Sequence, residues 1–247
     1  MKRQFNPSVL EMMDRPQPVS TELERDLEHI RQFNRWFGSY RLVLHFVRRW
    51  ITPDARMRII DLATGSGDIP RLIVDYARKI GAEIEVRALD QQSATLEIAR
   101  TLSASYPEIS YFEANVLEFQ PADCYDIVLC SLVLHHFSDE DAVTVLRCCS
   151  ELSRKFVLVA DLRRGFLATA GVHLLTALIF HEPMTRYDAR LSAARAFSFK
   201  ELDKLARQAG WQNFGHKKFR FARQAIWLEW DWRCDIVLVR KGREKIA

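Results

Sequence analysis

The chain has 247 residues, 48% of them hydrophobic and 28% charged, with a formal net charge of +4, which suits one large α/β domain or one domain with an added cap. The basic residues are scattered, whereas a nucleic-acid partner would call for a concentrated basic face, so no nucleic-acid partner is expected. No run of about 20 apolar residues could span a bilayer, the N-terminal MKRQFNPSVLEMMDRPQP lacks the apolar stretch of a secretory signal, and five cysteines without a CxxC pair predict a reduced, cytoplasmic setting without a structural zinc.

Residues 1–20 read as an irregular arm. Ser20 or Thr21 then caps a helix, with Glu24 placed to close a capping box, and Leu23, Leu27, Ile30, Phe33, Trp36 and Phe37 recur at helical spacing. Gly38 ends it. A second helix covers about 40–50, stopped by Pro53. From there strands and helices alternate: a strand at 58–62, a helix at 69–80, a strand at 84–89, a helix at 93–103 and a strand at 109–114. Next come an almost uninterrupted apolar strand at 125–131, a helix at 139–152 and a buried strand at 156–160. Such alternation predicts a parallel sheet with helices on both faces. The pattern then breaks at the apolar segment 165–180, read as an inserted helix that caps a cleft, packs in the core or touches a membrane surface. Ser198 and Glu201 open a last helix, and strands at 211–219 and 235–240 are expected to form an antiparallel hairpin at the sheet edge.

The chemistry concentrates in Asp61-Leu62-Ala63-Thr64-Gly65-Ser66-Gly67-Asp68-Ile69-Pro70. This segment leaves a strand and enters a helix. Gly65 and Gly67 allow a sharp turn and a close approach of backbone to ligand, and the helix start offers free N–H groups. A nicotinamide fingerprint would need a third glycine where Pro70 stands. The acids Asp61 and Asp68 would repel a pyrophosphate but suit a cationic, phosphate-free ligand such as S-adenosylmethionine. Asp90, ending the next strand beside Gln91, can accept ribose hydroxyls. Asn115 can meet an adenine edge with Val116 against the ring, and Ser131 ends the strand that would lie beside the methionine portion.

In this order, DLATGSGD, ALDQQ, ANVLEF and YDIVLCSLVLHHF resemble the motifs of the class I S-adenosylmethionine-dependent methyltransferases, over about 57–240. The glycine motif departs from the usual family pattern at Ala63, and the adenine motif carries Asn115 in place of a common aspartate. The last motif is similar to that of the small-molecule branch, which includes quinone and polyketide methyltransferases. The resemblance implies a doubly wound, seven-stranded, mostly parallel sheet, with 1–52 as arm and cap helices and 53–247 as the methyltransferase domain, its cap inserted at about 163–197. It implies S-adenosylmethionine as cofactor, with Asp61, Ala63, Thr64, Gly65, Gly67, Asp68, Asp90, Gln91, Asn115, Val116 and Ser131 as its contacts.

The expected reaction is methyl transfer to a small, largely apolar, aromatic acceptor such as a phenol, polyketide or quinone, with oxygen favoured over carbon as the target. His135, His136 and His173 are the candidate general bases, the alternative for each being hydrogen-bonded support. Metal binding by them is not expected, because no second ligand spacing accompanies them. RNA or protein methylation and a non-enzymatic cofactor-binding module are the rival readings. Oligomeric state and peripheral membrane contact are left open.

Overall fold

A computed structural model describes residues 2–120, 123–166, 170–172 and 183–230. His173, most of the apolar segment 165–180 and the expected strand at 235–240 lie outside the described residues. The elements run α1 (Thr21–Trp36), α2 (Ser39–Trp50), β1 (Arg56–Leu62), α3 (Asp68–Ile80), β2 (Glu83–Asp90), α4 (Ser93–Leu102), β3 (Ile109–Glu113) and β4 (Tyr125–Ser131). A one-turn helix (Leu134–His136) follows, then α5 (Asp139–Leu152), β5 (Ser153–Leu162), α6 (Pro183–Arg195), α7 (Phe199–Gln208), β6 (Gly215–Phe219) and β7 (Arg223–Glu229).

The seven described strands form one sheet in the order β3-β2-β1-β4-β5-β7-β6. The first five are mutually parallel, and β7 runs antiparallel to both β5 and β6. The strand order reverses between β1 and β4, which opens a crevice at their carboxyl ends. Alternation along the strands explains the layering. Ile59, Ile127, Leu129 and Leu158 face α2 and α3, where Phe46, Val47 and Ile73 pack on them. Ile60, Val128, Val157 and Ile226 face the other side, against Leu146 of α5 and Leu202 of α7. This two-sided burial is why residues 125–131 read as a continuous apolar run.

The expected helix starts are present. Ser20 accepts from the N–H of Leu23 at 3.1 Å, and Ser198 and Glu201 form a full capping box. The expected edge hairpin is placed differently: it pairs 215–219 with 223–229. β7 is also an interior strand. The fully buried Gln224 side chain donates to the carbonyls of Leu162 and Phe197. A further helix, α6, was not foreseen. Its buried positions include Thr185, Asp188 and Arg195, polar groups that hide it from a hydrophobic-periodicity reading.

Candidate active site

The crevice between β1 and β4 deepens into a cleft of about 1360 Å³. Its floor is the turn from β1 into α3. Thr64 N–H donates to the Leu89 carbonyl at 2.8 Å, so the turn is tied to the end of β2. Ala63, Gly65 and Gly67 take φ values of 59°, 56° and 73°, in the left-handed region that favours glycine. Open space lies where a Gly65 Cβ would be, whereas one on Gly67 would meet Tyr111 Oη at 2.1 Å. The first glycine therefore leaves room for a ligand, and the second leaves room for the protein.

Carboxylates surround this floor. Asp61 is buried, and its Oδ2 accepts the Thr64 hydroxyl at 2.7 Å. Its Oδ1 has no partner among the described residues. Burial pushes the Asp61 carboxyl up to about 7, with Asp68 and Asp90 adding to the rise and the Thr64 hydrogen bond opposing it. Asp90 accepts the N–H groups of Gly65 at 2.8 Å and Gln92 at 3.0 Å, and burial raises its pKa as well. Asp68 turns toward the N-terminal helices: its Oδ2 accepts from Asn34 Nδ2 at 2.8 Å and Tyr40 Oη at 2.9 Å.

Of the residues expected to hold cofactor, Asp61, Ala63, Thr64, Gly65, Asp68, Asp90, Gln91, Val116 and Ser131 line the cleft. Ser131 Oγ is a second buried oxygen without a partner among the described residues. Gly67 and Asn115 do not reach the lining. Asn115 is bound to its own turn, with Oδ1 accepting from Leu117 N–H at 3.0 Å and Nδ2 donating to Glu118 at 3.3 Å.

His135 and His136 also line the cleft. His135 is buried, and both its backbone N–H and its Nδ1 lie on Asp161, at 2.9 and 2.6 Å. His136 Nδ1 pairs with Asp14 at 2.7 Å, and its Nε2 lies 3.8 Å from Glu11. Burial alone would depress the His136 pKa, but Glu11, Asp14 and Asp161 outweigh it and push it up to about 10. The surrounding carboxylates thus favour positive charge at this position.

Sequence reasoning named the arm but not its place in the cleft. Phe5, Leu10, Glu11, Met13 and Asp14 form a wall of the cleft. Arg3 secures it through Asp139 and the carbonyls of His135, Phe137 and Arg195, and the N–H groups of Met12 and Met13 donate to Asp188 of α6. These partners stand more than 130 residues apart in the chain, so no local spacing announces them. The other walls are apolar, with Ile30, Phe33 and Phe37 at the end of α1 and Phe221 before β7.

The fold is shared with other proteins. Residues 59–155 match the family described as "Methyltransferase domain". A 2-phytyl-1,4-naphtoquinone methyltransferase from Thermosynechococcus vestitus is 32% identical over 81 residues, covering 33% of this chain and 35% of that relative; the chain thus spans about a third of the length of the curated relative it matches. Among solved structures, the plantazolicin methyltransferase BpumL, in complex with a desmethylPZN analog and SAH, superposes with a TM-score of 0.62 at 10% identity over 85% of this chain and 91% of that one. Human N-acetylserotonin methyltransferase in complex with SAM gives 0.60 at 18% identity, over 85% and 56%. Its sheet order, with a glycine turn at the switch point, gives the chain the Rossmann-like fold of these methyltransferases, and residues 59–155 within it are similar to a methyltransferase domain.

Proposed function

We propose that this protein transfers a methyl group from S-adenosylmethionine to a small, largely apolar, aromatic acceptor, with oxygen as the favoured target. One observation carries this reading. A buried carboxylate with an unpartnered oxygen, Asp61, sits at the foot of a cleft whose far walls are aromatic and aliphatic. A buried polar atom without a partner is costly, and a cationic ligand group placed there would remove that cost. The residues present fit the cofactor.

Asp61 and the unpartnered Ser131 hydroxyl would face its charged aminoacyl end. Gly65 and Asp90 would hold the ribose, and Val116 would pack on the base. Asn115 would contribute by shaping the turn that presents Val116. The bound cofactor supplies an activated methyl group on a cationic sulfur. The chain's own part is to position the acceptor in line with it and to exclude water, which accounts for a large share of the acceleration in such reactions. The aromatic wall formed by Phe33, Phe37 and Phe221 would hold the ring of the acceptor, and its reacting oxygen would lie toward the His135–His136 pair.

Methylation of carbon in a quinone-like acceptor is the second reading, favoured by the naphtoquinone-methylating relative. Calorimetry with S-adenosylmethionine and S-adenosylhomocysteine, with NADH as control, tests the cofactor. Micromolar binding of the first two, weakened in Asp90→Ala, is the expected result; binding of NADH alone overturns the reading. A screen of phenols and quinones, with the methylated product resolved by mass spectrometry and NMR, then separates oxygen from carbon. Steeply salt-dependent RNA binding would move the acceptor to another class.

A further inference from the structure

Three side chains that no local spacing relates converge on one wall of the cleft. Glu11 comes from the arm, and His135 and His136 come from the one-turn helix after β4. Their ligand atoms all lie within 4.8 Å of one another, and the two imidazole rings are 4.4 Å apart, centre to centre. Each imidazole has its Nδ1 on a carboxylate, His135 on Asp161 at 2.6 Å and His136 on Asp14 at 2.7 Å. Outer carboxylates of this kind recur around metal-bound histidines: they orient the ring, place the proton on Nδ1 and leave Nε2 for the ion. Glu11 is oriented in turn by the Ser192 hydroxyl, which donates to it at 2.7 Å. The five groups are buried or half-buried, so three carboxylates bear on one point of low dielectric, where a cation is strongly favoured.

We propose that Glu11, His135 and His136 form a binding site for one divalent first-row transition-metal ion of the zinc or cobalt type. Two imidazole nitrogens and one carboxylate oxygen suit this class, whereas calcium and magnesium favour all-oxygen sets. Bonds of about 2.1 Å require the three ligands to draw slightly closer than they stand without an ion. The sequence shows no second ligand spacing beside the histidine pair; the fold supplies the third ligand from 124 and 125 residues away. Three protein ligands leave a coordination position open, as in sites that engage a further molecule, and all three residues line the cleft. Resting on the function proposed above, that open position belongs to the acceptor oxygen, which an ion would hold and acidify.

The competing account is a set of ion pairs that merely fasten the arm. Tag-free protein, stripped with a chelator, is titrated with cobalt(II) chloride and then zinc chloride, followed by calorimetry and visible absorption. One cobalt per chain, with a visible ligand-field band, no near-ultraviolet thiolate band and displacement by zinc, is expected. Glu11→Gln and His136→Gln should each weaken binding at least tenfold, and Asp14→Asn should weaken it by a smaller factor. S-adenosylhomocysteine binding and thermal melting, measured on the same variants, report whether they fold. Absence of cobalt binding in the wild type, equal binding in the variants, or a thiolate band would overturn the proposal. Cobalt binding without S-adenosylhomocysteine binding would leave the metal site standing and remove the methyl-transfer reading.

Discussion

Thr64 donates its hydroxyl to one oxygen of Asp61 at 2.7 Å, and the other oxygen of that carboxylate is buried without a partner among the described residues. A free carboxyl titrates near 4, whereas this one titrates near 7 in the folded protein because burial disfavours its charge. The folded state therefore holds the extra proton. Its contribution to stability is fully present below pH ~4 and is lost as pH rises toward ~7. In ligand-free protein, the melting temperature of Asp61→Asn should fall less than that of the wild type across this window. Cofactor binding should run the other way. Between pH ~6 and ~8 the ionised fraction rises from about a tenth to about nine tenths, so affinity for S-adenosylmethionine should increase nearly tenfold. In Asp61→Asn that increase should vanish and affinity at pH 8 should drop at least tenfold. Calorimetry at three pH values reads both effects.

The two glycines of the turn should fail in different ways. Gly67→Ala forces a Cβ against the Tyr111 hydroxyl, which is itself hydrogen-bonded to Ser103 at 2.8 Å. With left-handed strain added, a loss of about 2–4 kcal/mol is expected, visible as a lower denaturation midpoint. Gly65→Ala meets open space and should cost only about 1 kcal/mol of stability. Its main effect should be weaker cofactor binding. Equal losses of stability in the two variants would contradict this division.

Ala63 sits at φ 59°, a conformation that costs a residue with a Cβ about 1 kcal/mol. Ala63→Gly should relieve that strain and loosen the unfolded chain at the same time. The net change in stability should stay within about 1 kcal/mol of zero, with cofactor affinity unchanged or improved. A loss above 2 kcal/mol in chemical denaturation would show that the Ala63 methyl packs against something essential.

Tyr40 and Asn34 converge on a single oxygen of Asp68, joining both N-terminal helices to the first turn of α3. Hydrogen bonds to a charged group are worth about 1.5–3 kcal/mol each, so Tyr40→Phe should destabilise by that order. The Tyr40→Phe, Asn34→Ala double variant should lose more than the sum of the single losses, since either donor alone still satisfies the shared oxygen and only the double variant leaves it without both. Strict additivity in urea denaturation would mean that the two contacts act separately.

Legibility in the sequence followed the range of the interactions. Strands β1 to β5 and their helices show themselves because each buries an apolar face whose period is written locally, and the glycine turn shows itself because the backbone demands particular residues there. Strand β7 was missed. Arg223–Glu229 begins and ends on polar side chains, and the more apolar 235–240 drew attention away from it. Helix α6 was missed because what it buries is polar: Asp188 receives the arm's N–H groups, and Arg195 donates to the carbonyls of Asn6 and Val9. The surroundings of His136 were hidden for the same reason. A histidine after a buried strand is compatible with a free base; only the fold brings Glu11 and Asp14 against it.

The arm has a kinetic consequence during synthesis. Arg3 finds its carbonyl partner on Arg195, 192 residues later, and Met12 and Met13 wait for Asp188. The arm leaves the ribosome before the elements it seats on, and is thus among the last parts that can be placed. The central sheet can assemble around an open cleft, and the wall bearing Glu11 and Asp14 closes only after α6 has emerged.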